Sequence, residues 1–437
     1  MTLRRRSSSF AAGLQCRQAH QRGVASLIVV MVLFFIISMV AAYTSRNLIF
    51  EQRTSTNQYR STQALEAADA GLQWALGLLN SGRIDPSCVA STNLADTSFR
   101  QRYVSINGST GAITPLLTSL GATLMPSCVF DGSNWQCSCP VDGAPSVTTP
   151  SGAGVFPAFR VRFVAVPSRT GVVKVESNGC TRNADSCLNF PASGSDNEGR
   201  VTVTALVALK GGVSTIPAAP LTLMGSLGLL GSANLTVVNS DPATTGITVH
   251  AGQGVSSTGL KRITTPGTPS ELSVFEGDPT LGGLSPNRMF ANVFGLWRET
   301  YRDQPGAVLL NCGLGGCSAN TVRTTIAQNP GRVLWLQGDF SVDSAGDIGS
   351  AAEPVVIVAS GAISFSAAAR MYGLLYTQAA TWTTTSGAAE VRGAVVAEGN
   401  VVGSSTATFV YDAPLLTQLR TRSGSFALVP GSWRDFQ

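Results

Sequence analysis

The stretch Val24-Ala-Ser-Leu-Ile-Val-Val-Met-Val-Leu-Phe-Phe-Ile-Ile-Ser-Met-Val-Ala-Ala42 carries no charge, and the uncharged run continues to Ser45 before Arg46 appears. About 20 such residues cross a hydrocarbon core near 30 Å thick as a helix. Val24, Leu27, Ile28, Phe34, Phe35, Ile36 and Ala42 mark out that apolar span. On its N-terminal side Arg4, Arg5, Arg6, Arg17 and Arg22 stand without an acidic residue. Positive charge keeps its own end of a span in the cytoplasm and sends the opposite end across the membrane.

A secretory signal peptide predicts a small-residue cleavage site beyond the apolar run, and Ala41-Ala42-Tyr43 offers a poor one. The run is long for that role, and the sequence after it reads as more helix. Residues 46–79 lack proline, and Ala64, Leu65, Ala68, Leu72, Ala75, Leu76 and Leu79 recur at spacings of three and four. That spacing draws one stripe along a helix. Ser81-Gly82, with Pro86 beyond, is a stop signal. Membrane segment and stripe together predict one rod of about 56 residues, roughly 84 Å at 1.5 Å per residue. Gly71 and Gly77 each weaken its end by about 1 kcal/mol relative to alanine, which packing of the stripe must offset.

The 437 residues suggest two or three domains. A charged content of only 13 % and abundant Gly, Ser, Thr, Ala and Val suit short strands and tight turns. The formal charge of +5 resides in the N-terminal arginines; without residues 1–23 the chain holds 25 basic against 25 acidic residues. A neutral chain has no basic field to collect phosphates along a polymer, so nucleic acid is not an expected partner. Apart from Cys16, eight cysteines remain: Cys88, Cys128, Cys137, Cys139, Cys180, Cys187, Cys312 and Cys317. An even set on an exported chain reads as disulfides. Cys180 with Cys187, and Cys312 with Cys317, are close enough to bridge locally. The other four pair in one of three ways. Structural zinc needs CxxC-like pairs, which the sequence lacks, so no metal is assigned to them.

Two segments now carry a family resemblance. Gln21-Arg22-Gly23 followed by Val24-Ala25-Ser26-Leu27-Ile28 and the apolar run resembles the class III leader of type IV prepilins, in which a prepilin peptidase cuts after the glycine. Glu51-Gln-Arg53-Thr-Ser-Thr-Asn57, with Ala64-Leu-Glu66-Ala67-Ala68-Asp69-Ala70-Gly71-Leu72, resembles the N-terminal domain of PilX-type minor pilins. The family usually has Ala-Ala-Glu where this chain has Ala67-Ala68-Asp69. The resemblance covers about residues 20–80. It implies that Gly23 ends the leader, that Val24 becomes a methylated N-terminus, and that the helix stays in the inner membrane with periplasmic domains beyond it. It implies major and minor pilins, the prepilin peptidase, the inner-membrane assembly platform and membrane lipid as partners, with assembly into a cell-surface filament. Major pilins carry a glutamate at the fifth mature position; Ile28 stands there in this chain. A carboxylate in the bilayer is costly unless paired, and in related pseudopili the subunit lacking it sits at the tip. The resemblance therefore points to a tip or near-tip place.

The expected class is α+β: a leader (1–23), a pilin-type helix (24–80), a disulfide-containing β domain (81–215), a right-handed parallel β-helix (216–412) and a cap (413–437). Within the β domain, Phe159-Arg-Val161-Arg-Phe163 and Val201-Thr-Val203-Thr alternate as half-buried strands do. Pro354-Val-Val-Ile-Val358, Gly373-Leu-Leu-Tyr-Thr377 and Gly393-Ala-Val-Val-Ala397 begin 19 and 20 residues apart. Gly338-Asp-Phe-Ser-Val342 returns as Gly361-Ala-Ile-Ser-Phe365. Stacked coils of a solenoid have such a period, and the texture resembles C-terminal regions of PilX-like proteins. An antiparallel sandwich with accidental spacing is the other reading. Residues 255–330 are expected as an insertion that interrupts the stack, and 413–437 as a helical or looped cap.

Enzymatic chemistry has little to build on. Beyond the leader His250 is the sole histidine, and no GxSxG, Walker loop or HExxH occurs. Some β-helix proteins act on polysaccharides, so that activity is the remote alternative. Asp339, Asp343 and Asp347, spaced by four, are candidate calcium ligands, although turn aspartates are the plainer reading. No cofactor is expected. A displayed adhesin or carbohydrate-binding module, using Trp135, Trp297, Trp335 or Trp382, is the second functional reading.

Overall fold

The computed structural model describes residues 22–152, 155–191, 198–230, 232–379, 381–384, 388–403 and 406–435. The expected leader up to residue 21 lies outside them. A single helix runs from Arg22 to Leu79. The chain divides into two units, Met1–Tyr59 and Arg60–Gln437. In the first, the helix is exposed throughout its described side chains. In the second, the stripe Ala68, Leu72, Ala75 and Leu79 is buried against Phe159, Val161, Val173, Val175, Val203 and Val207.

Those partners belong to a six-stranded antiparallel sheet. It is built from Ser127–Phe130, Trp135–Ser138, Ala158–Ala165, Val172–Cys180, Arg200–Gly211 and the C-terminal strand Gly424–Leu428. Period-two alternation puts Phe159, Val161 and Phe163 on the helix-facing side. Disulfides join Cys88 to Cys139, Cys128 to Cys137, Cys180 to Cys187 and Cys312 to Cys317. Cys128 and Cys137 sit directly opposite each other on neighbouring strands.

The remainder is dominated, among the described residues, by a 12-stranded sheet. Its main path runs Leu260–Thr264, Leu235–Asn239, Thr408–Tyr411, Glu390–Ala397, Ala369–Thr377, Val355–Ala359, Val333–Gln337, Ala307–Asn311. Every pairing along it is parallel. Leu334 pairs with Ile357, Val355 with Gly373, Arg370 with Glu390, and Glu390 with Thr408. Two three-stranded sheets run beside it.

Ile357, Leu375 and Val395 point to one side, into a core shared with Val237, Leu336, Val401 and Phe409. Val356, Val358, Leu374, Tyr376 and Val396 point to the other, under helices Pro286–Phe294, Arg298–Arg302 and Ala413–Thr421. Strands covered on both faces read as unbroken apolar runs, which is why Pro354-Val-Val-Ile-Val358 shows no alternation. Gly373, at φ 149°, bends its strand. The residues before it pair with Gly346–Ile348 and those after it with Val355–Ala359. A Cβ there would fall 1.8 Å from the Val355 carbonyl oxygen, so only glycine fits.

Parallel pairing throughout the main path sets aside the other reading, an antiparallel sandwich. Segment 255–330 is not a plain insertion, since Leu260–Thr264, Val274–Phe275, Ala307–Asn311 and Cys317–Ser318 are strands of the parallel sheets. Two of these strands are only two residues long, and Leu260, Val274, Val308 and Leu310 are only partly buried against the core, which leaves little pattern to read. Segment 413–437 is not only a cap. Its helix is followed by Gly424–Leu428, which pairs antiparallel with Arg200–Gly211, Phe426 opposite Leu209.

Candidate membrane and assembly helix

The first unit contains the one helical stretch long and apolar enough to cross a membrane among the described residues, and none of its apolar window is buried. Phe34 is 71 % and Phe35 67 % exposed, and Leu27, Ile28, Ile36 and Ala42 are exposed as well. Burying one such large side chain is worth about 1.5–3 kcal/mol, so a run this long requires lipid or other protein around it. Ile28 leaves this face without a carboxylate. Gly23 and Val24 lie in the first turn of the helix. Only their backbone is described.

The residues of the family motif divide between the two units. Glu51, Arg53 and Asn57 are exposed in the first. In the second, Glu66 is exposed while Ala67, Ala68 and Gly71 are buried. The small residues have a steric reason. A Cβ on Gly71 would fall 2.4 Å from Ser177 Oγ and 2.7 Å from the Phe159 ring. Across the contact, a Cβ on Gly179 would lie 2.1 Å from the Ala64 carbonyl oxygen and 2.3 Å from the Ala68 nitrogen. Helix and strand therefore meet backbone to backbone. Asp69, where the family has glutamate, accepts a hydrogen bond from Trp433 Nε1 at 3.1 Å. Gly179, Ser177 and Trp433 were not legible as partners of the motif, although an isolated glycine in a strand pattern signals close backbone approach.

Several other candidates make contacts within the fold. His250 Nε2 lies 2.8 Å from Asp278 Oδ2, and its ring stacks on Phe275. Asp278 also accepts from the Thr280 backbone and hydroxyl. The hydrogen bond from the Thr280 hydroxyl, then that from His250, holds its carboxyl down to about 2. Asp278 is the N-cap of the short helix Pro279–Gly282, and His250 steadies its carboxylate. Asp339 accepts from the Ala362 nitrogen and Asp343 from the Ala319 nitrogen. With Asp347 they do not come together, and among the described residues no group of three ligating side chains is placed to hold a metal. Trp135 packs on Phe159 and Trp335 on Phe290. Trp297 is 56 % exposed. The side chain of Trp382 lies outside the described residues.

Residues 22–73 match the family model described as PilX N-terminal. No curated protein matches the chain. The solved structure of the competence-associated pilin ComZ from Thermus thermophilus is similar over 86 % of this chain and 97 % of that one, at 11 % identity and a TM-score of 0.21. At that score the likeness carries no weight in the argument. The exposed apolar run, the small-residue face and the match over the same residues agree: the chain carries a PilX N-terminal domain on its long helix and is type IV minor pilin-like.

Proposed function

We propose that the chain is a low-copy structural component of a type IV pilus or pseudopilus, processed between Gly23 and Val24 and retained in the inner membrane by the apolar helix. The observation that carries this reading is the uncharged stretch of residues 24–45, exposed along its described side chains, on a helix that continues without interruption into the buried stripe. A helix of that kind holds a precursor in lipid, and the same apolar flank serves against sister subunits when a filament forms. Cleavage at Gly23 leaves it attached. The N-terminus faces the cytoplasm before processing, and the domains beyond residue 60 lie in the periplasm until assembly. Major and minor pilins, the prepilin peptidase and the assembly platform are the partners. Ile28 at the fifth mature position supports a place at or near the tip.

For the second unit the reading is a disulfide-containing β domain followed by a right-handed parallel β-helix. Register steps of 18 to 23 residues between successive parallel strands, together with glycine bends such as Gly373, support it. N-terminal analysis of the protein extracted from membranes tests the assignment. It should begin at methylated Val24; a chain beginning beyond Ala42 and free of the membrane would overturn it. A labelled copy distributed evenly along purified filaments would remove the tip placement alone.

A further inference from the structure

Arg83, Arg100, Arg323, Arg332 and Arg422 line a single cavity of about 530 Å³ within the second unit. Five arginines outside the cavity, Arg160, Arg162, Arg298, Arg370 and Arg392, each pair with a carboxylate. Among the described residues none of the five cavity arginines has such a partner. They are instead held in place by backbone carbonyls. Arg100 donates to Leu79, Gly331 and Gly424 at 2.9, 2.8 and 3.1 Å. Arg332 donates to Pro305 and Ala307, Arg323 to Ser344, Arg83 to Ala327, and Arg422 to Ala352.

Carbonyls orient a guanidinium without neutralising it. The carboxylates on the cavity wall are Asp347 and Glu353, and Glu353 Oε1 is already engaged by Gln101 Nε2 at 2.7 Å. Five positive charges against two negative leave an excess of three. Burial, and then the charge of Arg332, holds Arg100 down to about 9. The Nε atoms of Arg323 and Arg332 are buried without a hydrogen-bond partner. Buried charge of one sign is costly until a counter-charge joins it.

We propose that this cavity is a phosphate-group site, taking inorganic phosphate or the phosphomonoester of a small molecule. The guanidinium fork matches phosphate oxygens in pairs. The arginines come from separate segments of the chain. A tetrahedral group presents oxygens to several walls at once, whereas a planar carboxylate presents one edge. Phosphate's charge of about −1.5 to −2 at neutral pH offsets most of the excess.

Isothermal titration calorimetry on the full chain in neutral detergent and low-salt Hepes tests this, with inorganic phosphate and glucose 6-phosphate as separate titrants. Saturable binding at one site per chain is expected from at least one of them, and the tighter of the two identifies free ion or ester. The double variant R323Q/R422Q should bind at least tenfold more weakly, while R169Q, an exposed arginine outside the cavity, should bind as the parent does. If the double variant loses its thermal transition, R422Q alone should weaken binding at least threefold. Absence of saturable heat with both titrants, undiminished affinity in the arginine variants, or equal loss in R169Q would overturn the proposal.

Discussion

Gly179 is a single missing Cβ on which a whole contact depends, because the Ala64 and Ala68 backbone occupies the space that any larger residue would need. Replacing it by alanine forces the strand off the helix; overpacking of this kind costs about 1–3 kcal/mol, and the upper end is expected because backbone cannot rotate away. Urea denaturation of G179A against the parent measures it. Asp278 offers a test with a sign. Its carboxyl sits at about 2 in the fold against 3.8 for the free group. A depressed native value contributes stability that is present above the unfolded value and lost as pH falls through the native one. D278A should therefore be less stable than the parent at pH 7, by about 1 kcal/mol from the lost cap. The two should converge as the pH approaches 2. Parallel denaturation curves that never converge would contradict this assignment.

At the scale of elements, the long helix has two faces of different origin. Its first part is apolar all round and its second part is apolar along one stripe, so a charge has opposite consequences in each. F35R places arginine near the middle of the span, where insertion costs about 3 kcal/mol, and should shift the protein out of the carbonate-resistant membrane fraction. The same substitution at exposed Gln73 should leave the fraction unchanged. The antiparallel region depends on its crosslinks as well as its core. Cys88 and Cys139 are 51 residues apart, and closing a loop of that size restricts the unfolded chain by about 4 kcal/mol in the entropic account. The C88A/C139A variant should lose up to that amount in denaturation under non-reducing conditions, more than a variant lacking Cys128 and Cys137, which are only 9 apart.

For the molecule as a whole, the C-terminal strand ties distant parts of the second unit together. Phe426 donates its backbone NH to Asn80 Oδ1 at 2.8 Å and accepts from Asn80 Nδ2 at the same distance, and its strand closes one edge of the antiparallel sheet. Truncation after Ser423 should expose that edge and leave Asn80 Oδ1 without its donor, which limited proteolysis would register as early cleavage within Arg200–Gly211. Much of the architecture was legible in order of residues alone. The uncharged run and the three-and-four spacing of Ala64 to Leu79 are local periodicities, and local periodicity determines where a helix runs and which side of it is apolar. The 19- and 20-residue returns of apolar runs likewise announced parallel strands. Other features were decided only by tertiary structure: the docking of Gly179 on Ala64 and Ala68, the choice of Cys139 for Cys88, the return of Gly424–Leu428, and the placing of Leu235–Asn239 beside Thr408–Tyr411. Each depends on contact between residues far apart in the chain, and the free energy of such a contact depends on which surfaces fit, a quantity that no spacing along a sequence contains.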